Sequence, residues 1–107
     1  MPYINVKTNV TIDSADKLQQ ALGEAIRIIP GKTPERTMIL IDDAQSIFFA
    51  GTDDPCAMVE TQVNFGTDQS TTAEYAAKVI DLFAEELGIP ENRIYVNVTQ
   101  KDNWFAR

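Results

Sequence analysis

The sequence predicts an α+β domain, a four-stranded sheet with two helices on one face, and three observations lead there. The order strand, helix, glycine, proline–glutamate turn, strand occurs twice, with GKTPERTMILI and GIPENRIYVNV as the clearest echo. Each copy alternates between the two-residue period of a half-buried strand and the 3.6-residue period of an amphipathic helix. At 107 residues the chain is one domain, spanning 1–107, with its β-α-β repeats at about 2–42 and 56–98. A sheet covered on one face leaves the other seeking a partner, so a symmetric oligomer with facing sheets is expected.

Tyr3 to Thr8 opens the chain as a strand, with Ile4 and Val6 alternating against Tyr3, Asn5 and Lys7. Asp13 or Ser14 then caps a helix whose apolar stripe is Leu18, Leu22, Ala25 and Ile29, and Pro30-Gly31 stops it. Thr37 to Ile41 is nearly continuous apolar sequence and predicts a strand buried on both faces. Ile47 to Ala50 is a short apolar stretch closed by Gly51 to Pro55, which is turn chemistry. A third strand occupies Cys56 to Phe65 and Gly66 breaks it. Thr71-Thr72-Ala73-Glu74 predicts a capping box for the second helix, whose stripe is Ala76, Val79, Ile80, Phe83 and Leu87. Gly88 ends that helix, and Ile94 to Val98 is the last strand.

Composition removes whole classes of function. The net charge of −7 argues against non-specific contact with nucleic acid or an anionic membrane. No apolar run is long enough to span a bilayer, and no basic flank precedes an apolar core. The expected location is therefore cytoplasmic, or secreted without a signal peptide. Cys56 is the only cysteine and there is no histidine, which excludes a thiol pair within the chain, Ser-His or Cys-His catalysis, and the usual zinc sites. The acidic pairs Asp42-Asp43 and Asp53-Asp54 read as turn residues, and no metal is expected.

Chemistry is left to amines, carboxyls, hydroxyls, the backbone and the start of the chain, MPYINV. Proline is tolerated at a strand's first residue because it needs no N–H there, so Pro2 reads as an ordinary strand start. It reads equally as a catalytic base, because removal of Met1 would leave Pro2 as a secondary amine pinned by the strand behind it.

The stretches PYINVKTNV, GKTPE, FAGTDDPCAMVE, NFG and EELGIPENRIYVNV together are similar, nearly end to end, to the tautomerase superfamily. The resemblance is to its branch of macrophage migration inhibitory factor and D-dopachrome tautomerase. It implies a homotrimer whose sheets wrap into a central barrel, and an active site at each subunit interface around the N-terminal proline. The implied activity is keto–enol tautomerisation of substrates like phenylpyruvate, with a small-molecule carboxylate as ligand and no cofactor. By the same resemblance Pro2 is the general base and Lys32 the cation for the substrate. The Phe65 backbone N–H is a donor to it, and Tyr95 and Asn97 contribute from a neighbouring subunit.

Read without the family, Lys32 is a solvated loop lysine, Tyr95 is packing and Trp104 anchors the tail, while the resemblance, which places an aromatic near the pocket mouth, makes Trp104 equally a wall of the site. Arg36 stands where cytokine members carry an aromatic. It either favours a more anionic or dicarboxylate substrate or pairs with an acid such as Glu35 or Asp42. Cys56-Ala57-Met58-Val59 lacks a second cysteine, so the oxidoreductase activity of the family's Cys-x-x-Cys is not implied. Two other functions fit the same fold: a cytokine-like or catalytically silent binding module, and hydration or dehalogenation of an unsaturated acid.

Overall fold

Strand β1, Tyr3–Thr8, runs through the middle of the molecule in a computed structural model that describes residues 1–64 and 66–107. Its odd and even residues part as the two-residue period requires. Ile4, Val6 and Thr8 are fully buried, while Tyr3, Asn5 and Lys7 face the other way. Around it lie β2 (Met38–Asp42), β3 (Ala57–Val63) and β4 (Ile94–Gln100), in the order β2-β1-β3-β4. β1 pairs parallel with β2 and β3 with β4, while β1 and β3 are antiparallel. Parallel neighbours need a crossover, and each pair has a helix for it: α1 (Ala15–Ala25) and α2 (Gln69–Leu87).

Both helices cover the face that carries Ile4, Val6, Val59 and Val63. α1 contributes Leu18 and Leu22, continued by Ile26 in a 3₁₀ turn, and α2 contributes Tyr75, Val79 and Phe83. Lys17 and Glu86 join the two helices at 3.0 Å. The expected sheet and helix placement is therefore present, and no helix among the described residues is long and apolar enough to cross a membrane.

Two local expectations need correction. α2 starts earlier than the Thr71-Thr72-Ala73-Glu74 pattern suggests, because the Asp68 carboxylate accepts the Thr71 N–H at 2.8 Å and is the N-cap. β2 is not buried on both faces within the chain. It is an edge strand, and Met38 is 70% exposed and Leu40 41% exposed. Their side chains belong to the open face of the sheet, where Leu40, Asn5, Glu60 and Asn97 lie in register across all four strands. That face is thus apolar at the β2 edge and polar along its middle, rather than uniformly apolar.

One buried polar pair ties β3 to α2. Thr61 Oγ1 and Tyr75 Oη lie 2.7 Å apart, and both residues are fully buried. Desolvation pushes the Tyr75 phenol up from 10.0 to about 12, and the Thr61 hydrogen bond opposes this only in part. In the unfolded chain the phenol ionises near 10, so the unfolded state sheds its proton first as pH rises. The contribution of Tyr75 to stability should therefore be level up to about pH 10 and fall between pH 10 and 12, by about 2–3 kcal/mol. Tyr75→Phe should cost about 1–3 kcal/mol at neutral pH, by stranding the Thr61 hydroxyl, yet lack that alkaline decline. Urea unfolding of both proteins at pH 8 and 11.5 tests this, and an equal alkaline loss in the two would exclude Tyr75 as its source.

Candidate active site at the start of β1

Pro2 is buried at the head of β1, and its carbonyl accepts the Met38 N–H at 3.0 Å. The missing N–H therefore costs the sheet nothing, while the carbonyl fixes the residue against the β2 edge. Immediately before it, the Met1 amine donates to Asn64 Oδ1 at 3.3 Å. The same oxygen accepts from Lys32 Nζ at 3.1 Å. One amide oxygen facing two amines brings the start of β1, the loop after α1 and the end of β3 to one point.

Local chemistry explains why Lys32 arrives there. Gly31 takes a left-handed φ of 78°, which glycine adopts freely, and the Lys32 N–H then closes back on the Ile29 carbonyl at 3.1 Å. Next, Pro34–Arg36 forms a 3₁₀ turn that packs against α1 at Gly23, where an added Cβ would lie 2.9 Å from the Pro34 Cβ. The segment carrying Lys32 and Arg36 is thereby pressed onto the helix. Lys32 is only 7% exposed, so it is not a solvated loop lysine, and burial lowers its pKa. The Met1 amine is also held below its ordinary value, first by desolvation and then by the charges of Lys32 and Arg36.

Beside these amines opens a cavity of about 390 Å³, lined by Met1, Lys32, Arg36, Asn64 and Trp104 among others. A second, of about 450 Å³, adjoins it and is lined by Pro2, Tyr3, Met38, Leu40 and Trp104 among others. Met1, Arg36 and Trp104 are common to both, so the half-buried Trp104 walls the cleft. A cationic end joined to an apolar end suits an organic anion with a hydrocarbon or polar tail.

Not every expected residue is here. Tyr95 and Asn97 lie exposed on the open face of β4. Tyr95 is in register with Met58, which pairs with Lys7 on β1. That places it two strands across and five residues along from Pro2, roughly 19 Å away. Phe65 lies outside the described residues. Sequence reasoning missed Asn64, although NFG contained it, because nothing local marks an asparagine as the acceptor for an amine 32 residues away.

Arg93, also missed, organises the surroundings of Tyr95. Its guanidinium donates to the carbonyls of Phe49 and Pro55, both at 3.0 Å, and of Asp54 at 2.9 Å. It also lies 5.1 Å from the centre of the Phe49 ring, which meets the Tyr95 ring edge-on at 4.9 Å.

Comparison with known proteins gives a consistent result. The family model described as macrophage migration inhibitory factor matches residues 1–105. The macrophage migration inhibitory factor of Xenopus laevis is 31% identical over 98 residues, covering 91% of this chain and 85% of the relative. A macrophage migration inhibitory factor homologue of Brugia malayi is 30% identical over 98 residues, covering 90% and 84%. The crystal structure of a homologue from Prochlorococcus marinus matches with a TM-score of 0.88 at 25% identity, covering 98% of this chain and 95% of that one.

Proposed function

Because this chain belongs to the macrophage migration inhibitory factor family, we propose that it is a keto–enol tautomerase of phenylpyruvate-like 2-keto acids, with Pro2 as general base once Met1 is removed. The observation that carries this reading is the convergence of the N-terminus, Lys32 and Asn64 on one cleft. Desolvation and the charges of Lys32 and Arg36 already hold the Met1 amine there below its ordinary value, and a secondary amine at Pro2 would meet the same surroundings.

In the ketonising direction, the neutral amine takes the proton of the enol hydroxyl and the resulting ammonium returns a proton to C3. The C2 oxygen becomes the ketone, and no redox change or cofactor is required. Lys32 holds the substrate carboxylate by a charge-assisted hydrogen bond, and its charge favours the enolate between the two transfers. Asn64 orients Lys32 through the 3.1 Å contact. Trp104 walls the bound tail. Tyr95 and Asn97 complete the site from a neighbouring subunit of a homotrimer. The exposed Met38 and Leu40, with an Asn5 Oδ1 that is shielded yet has no partner among the described residues, support such an assembly on the open face.

Intact mass to fix the N-terminal residue, followed by the phenylpyruvate enol–keto assay, tests the activity. Lys32→Ala should raise KM for phenylpyruvate about tenfold or more and lower kcat less, since the base remains. Steady-state kinetics that return an unchanged KM would remove Lys32 from carboxylate binding.

A further inference from the structure

Arg36 is the one cationic side chain of the cleft to which the proposed reaction gives no contact with the substrate. Both acids that might neutralise it are engaged elsewhere. The Glu35 carboxylate faces Arg27 at 3.9 Å, and Asp42 pairs with Lys7 at 2.9 Å. Among the described residues Arg36 makes no ion pair, and no carboxylate side chain lines either cavity it borders. In a chain with 16 acidic and 9 basic residues, a cleft with two cationic side chains and no acidic one runs against the overall charge. A monoanion would satisfy Lys32 and leave the guanidinium facing the bound tail. A dianion would match both cations, and a planar guanidinium receives a carboxylate through two parallel hydrogen bonds.

We propose that Arg36 is a specificity-determining residue and that the cleft prefers 2-keto acids bearing a second carboxylate over aryl 2-keto acids. This rests on the reading of the cleft as the tautomerase site. The first carboxylate lies on Lys32 and the second on Arg36, while the reacting carbons stay at the N-terminal amine. Tyr3 and Trp104 bound the space between without adding a charge.

The test uses the enol forms of oxaloacetate and phenylpyruvate as substrates for protein beginning at Pro2. The parent should favour oxaloacetate by about tenfold or more in kcat/KM, and Arg36→Gln should lower kcat/KM for oxaloacetate about tenfold more than for phenylpyruvate. Arg36→Lys, which keeps the charge and loses the fork, should retain part of the preference. A parent that favours phenylpyruvate, or an Arg36→Gln that affects the two substrates equally, overturns the proposal. Calorimetry with glutarate and 3-phenylpropionate separates this from failure of the tautomerase reading. If neither enol is turned over, that reading falls. Tighter binding of glutarate, abolished in Arg36→Gln, would still uphold the dianion preference, and equal binding of the two acids would end it.

Discussion

Protein that begins at Pro2 should tautomerise phenylpyruvate, and the same chain with Met1 retained should do so at least about a hundredfold more slowly. The expectation follows from bonding: with Met1 in place the Pro2 nitrogen is an amide, whose lone pair is delocalised into the carbonyl and accepts no proton at working pH. Retention leaves an amine in the cleft, but it is the Met1 amine, one residue out from the proline and held at 3.3 Å from Asn64. Desolvation and the charges of Lys32 and Arg36 depress that amine, so a depressed pKa alone does not distinguish the two proteins. Position does. In the protein starting at Pro2, activity should rise with pH through the ionisation of the proline amine, because only the neutral form is a base. That rise should lie below the ordinary α-amine value of about 8. Pro2→Ala, which keeps a free amine but frees its orientation, should lower kcat by orders of magnitude while the assembly survives. Equal rates with and without Met1 would falsify Pro2 as the base.

The second large effect concerns Tyr95, which lies roughly 19 Å from Pro2 within one chain and so can reach a Pro2 cleft only from another copy. Pro2→Ala and a Tyr95→Ala/Asn97→Ala double variant should each be poorly active alone. Refolded together in equal amounts, they should regain activity, because some interfaces then unite an intact Pro2 with an intact Tyr95 and Asn97. Random mixing makes that fraction roughly a quarter of the sites. No recovery in mixtures shown by mass to be hybrid would mean that these residues act within their own chain or not at all. A monomer mass by light scattering at micromolar concentration would remove the shared site altogether.

What could be read from the sequence was local. Leu18 and Leu22 lie one turn apart, Gly88 takes a left-handed φ of 67° after α2, and the two β-α-β crossovers each fit within some forty residues, so spacing alone revealed them. Met38 and Leu40 misled because an apolar strand looks the same whether its second face meets the same chain or is left bare. The cap of α2 slipped because Asp68 and Thr71 are both good cap residues, and the choice depends on where the chain leaves β3. Asn64 and Arg93 were beyond reach for another reason. Their partners lie 32 and up to 44 residues away, and neither residue sits in a pattern that names its partner. Pro2 stood out from the start of the chain itself, Lys32, Arg36 and Trp104 were singled out through family resemblance, and the cleft brings all four together.

Apart from the Phe49 ring beneath its guanidinium, Arg93 grips its loop through hydrogen bonds to main-chain oxygens, at Phe49, Asp54 and Pro55, with Thr52 at 3.5 Å. Such a clasp does not read side chains. Nothing in those hydrogen bonds depends on which residues occupy 52 to 55, only on the path of the backbone, which the left-handed φ values of Ala50 and Gly51 help to set. Those hydrogen bonds therefore tolerate substitution at Asp53 and Asp54, whereas Thr52, whose hydroxyl accepts the Asp54 N–H at 3.3 Å, is tied to its type, and so is Arg93. Lysine in its place would offer one ammonium where four carbonyls need a fork. Diversity and constraint are thus separated along the chain, so the rim next to Tyr95 can acquire a new surface without retooling its support.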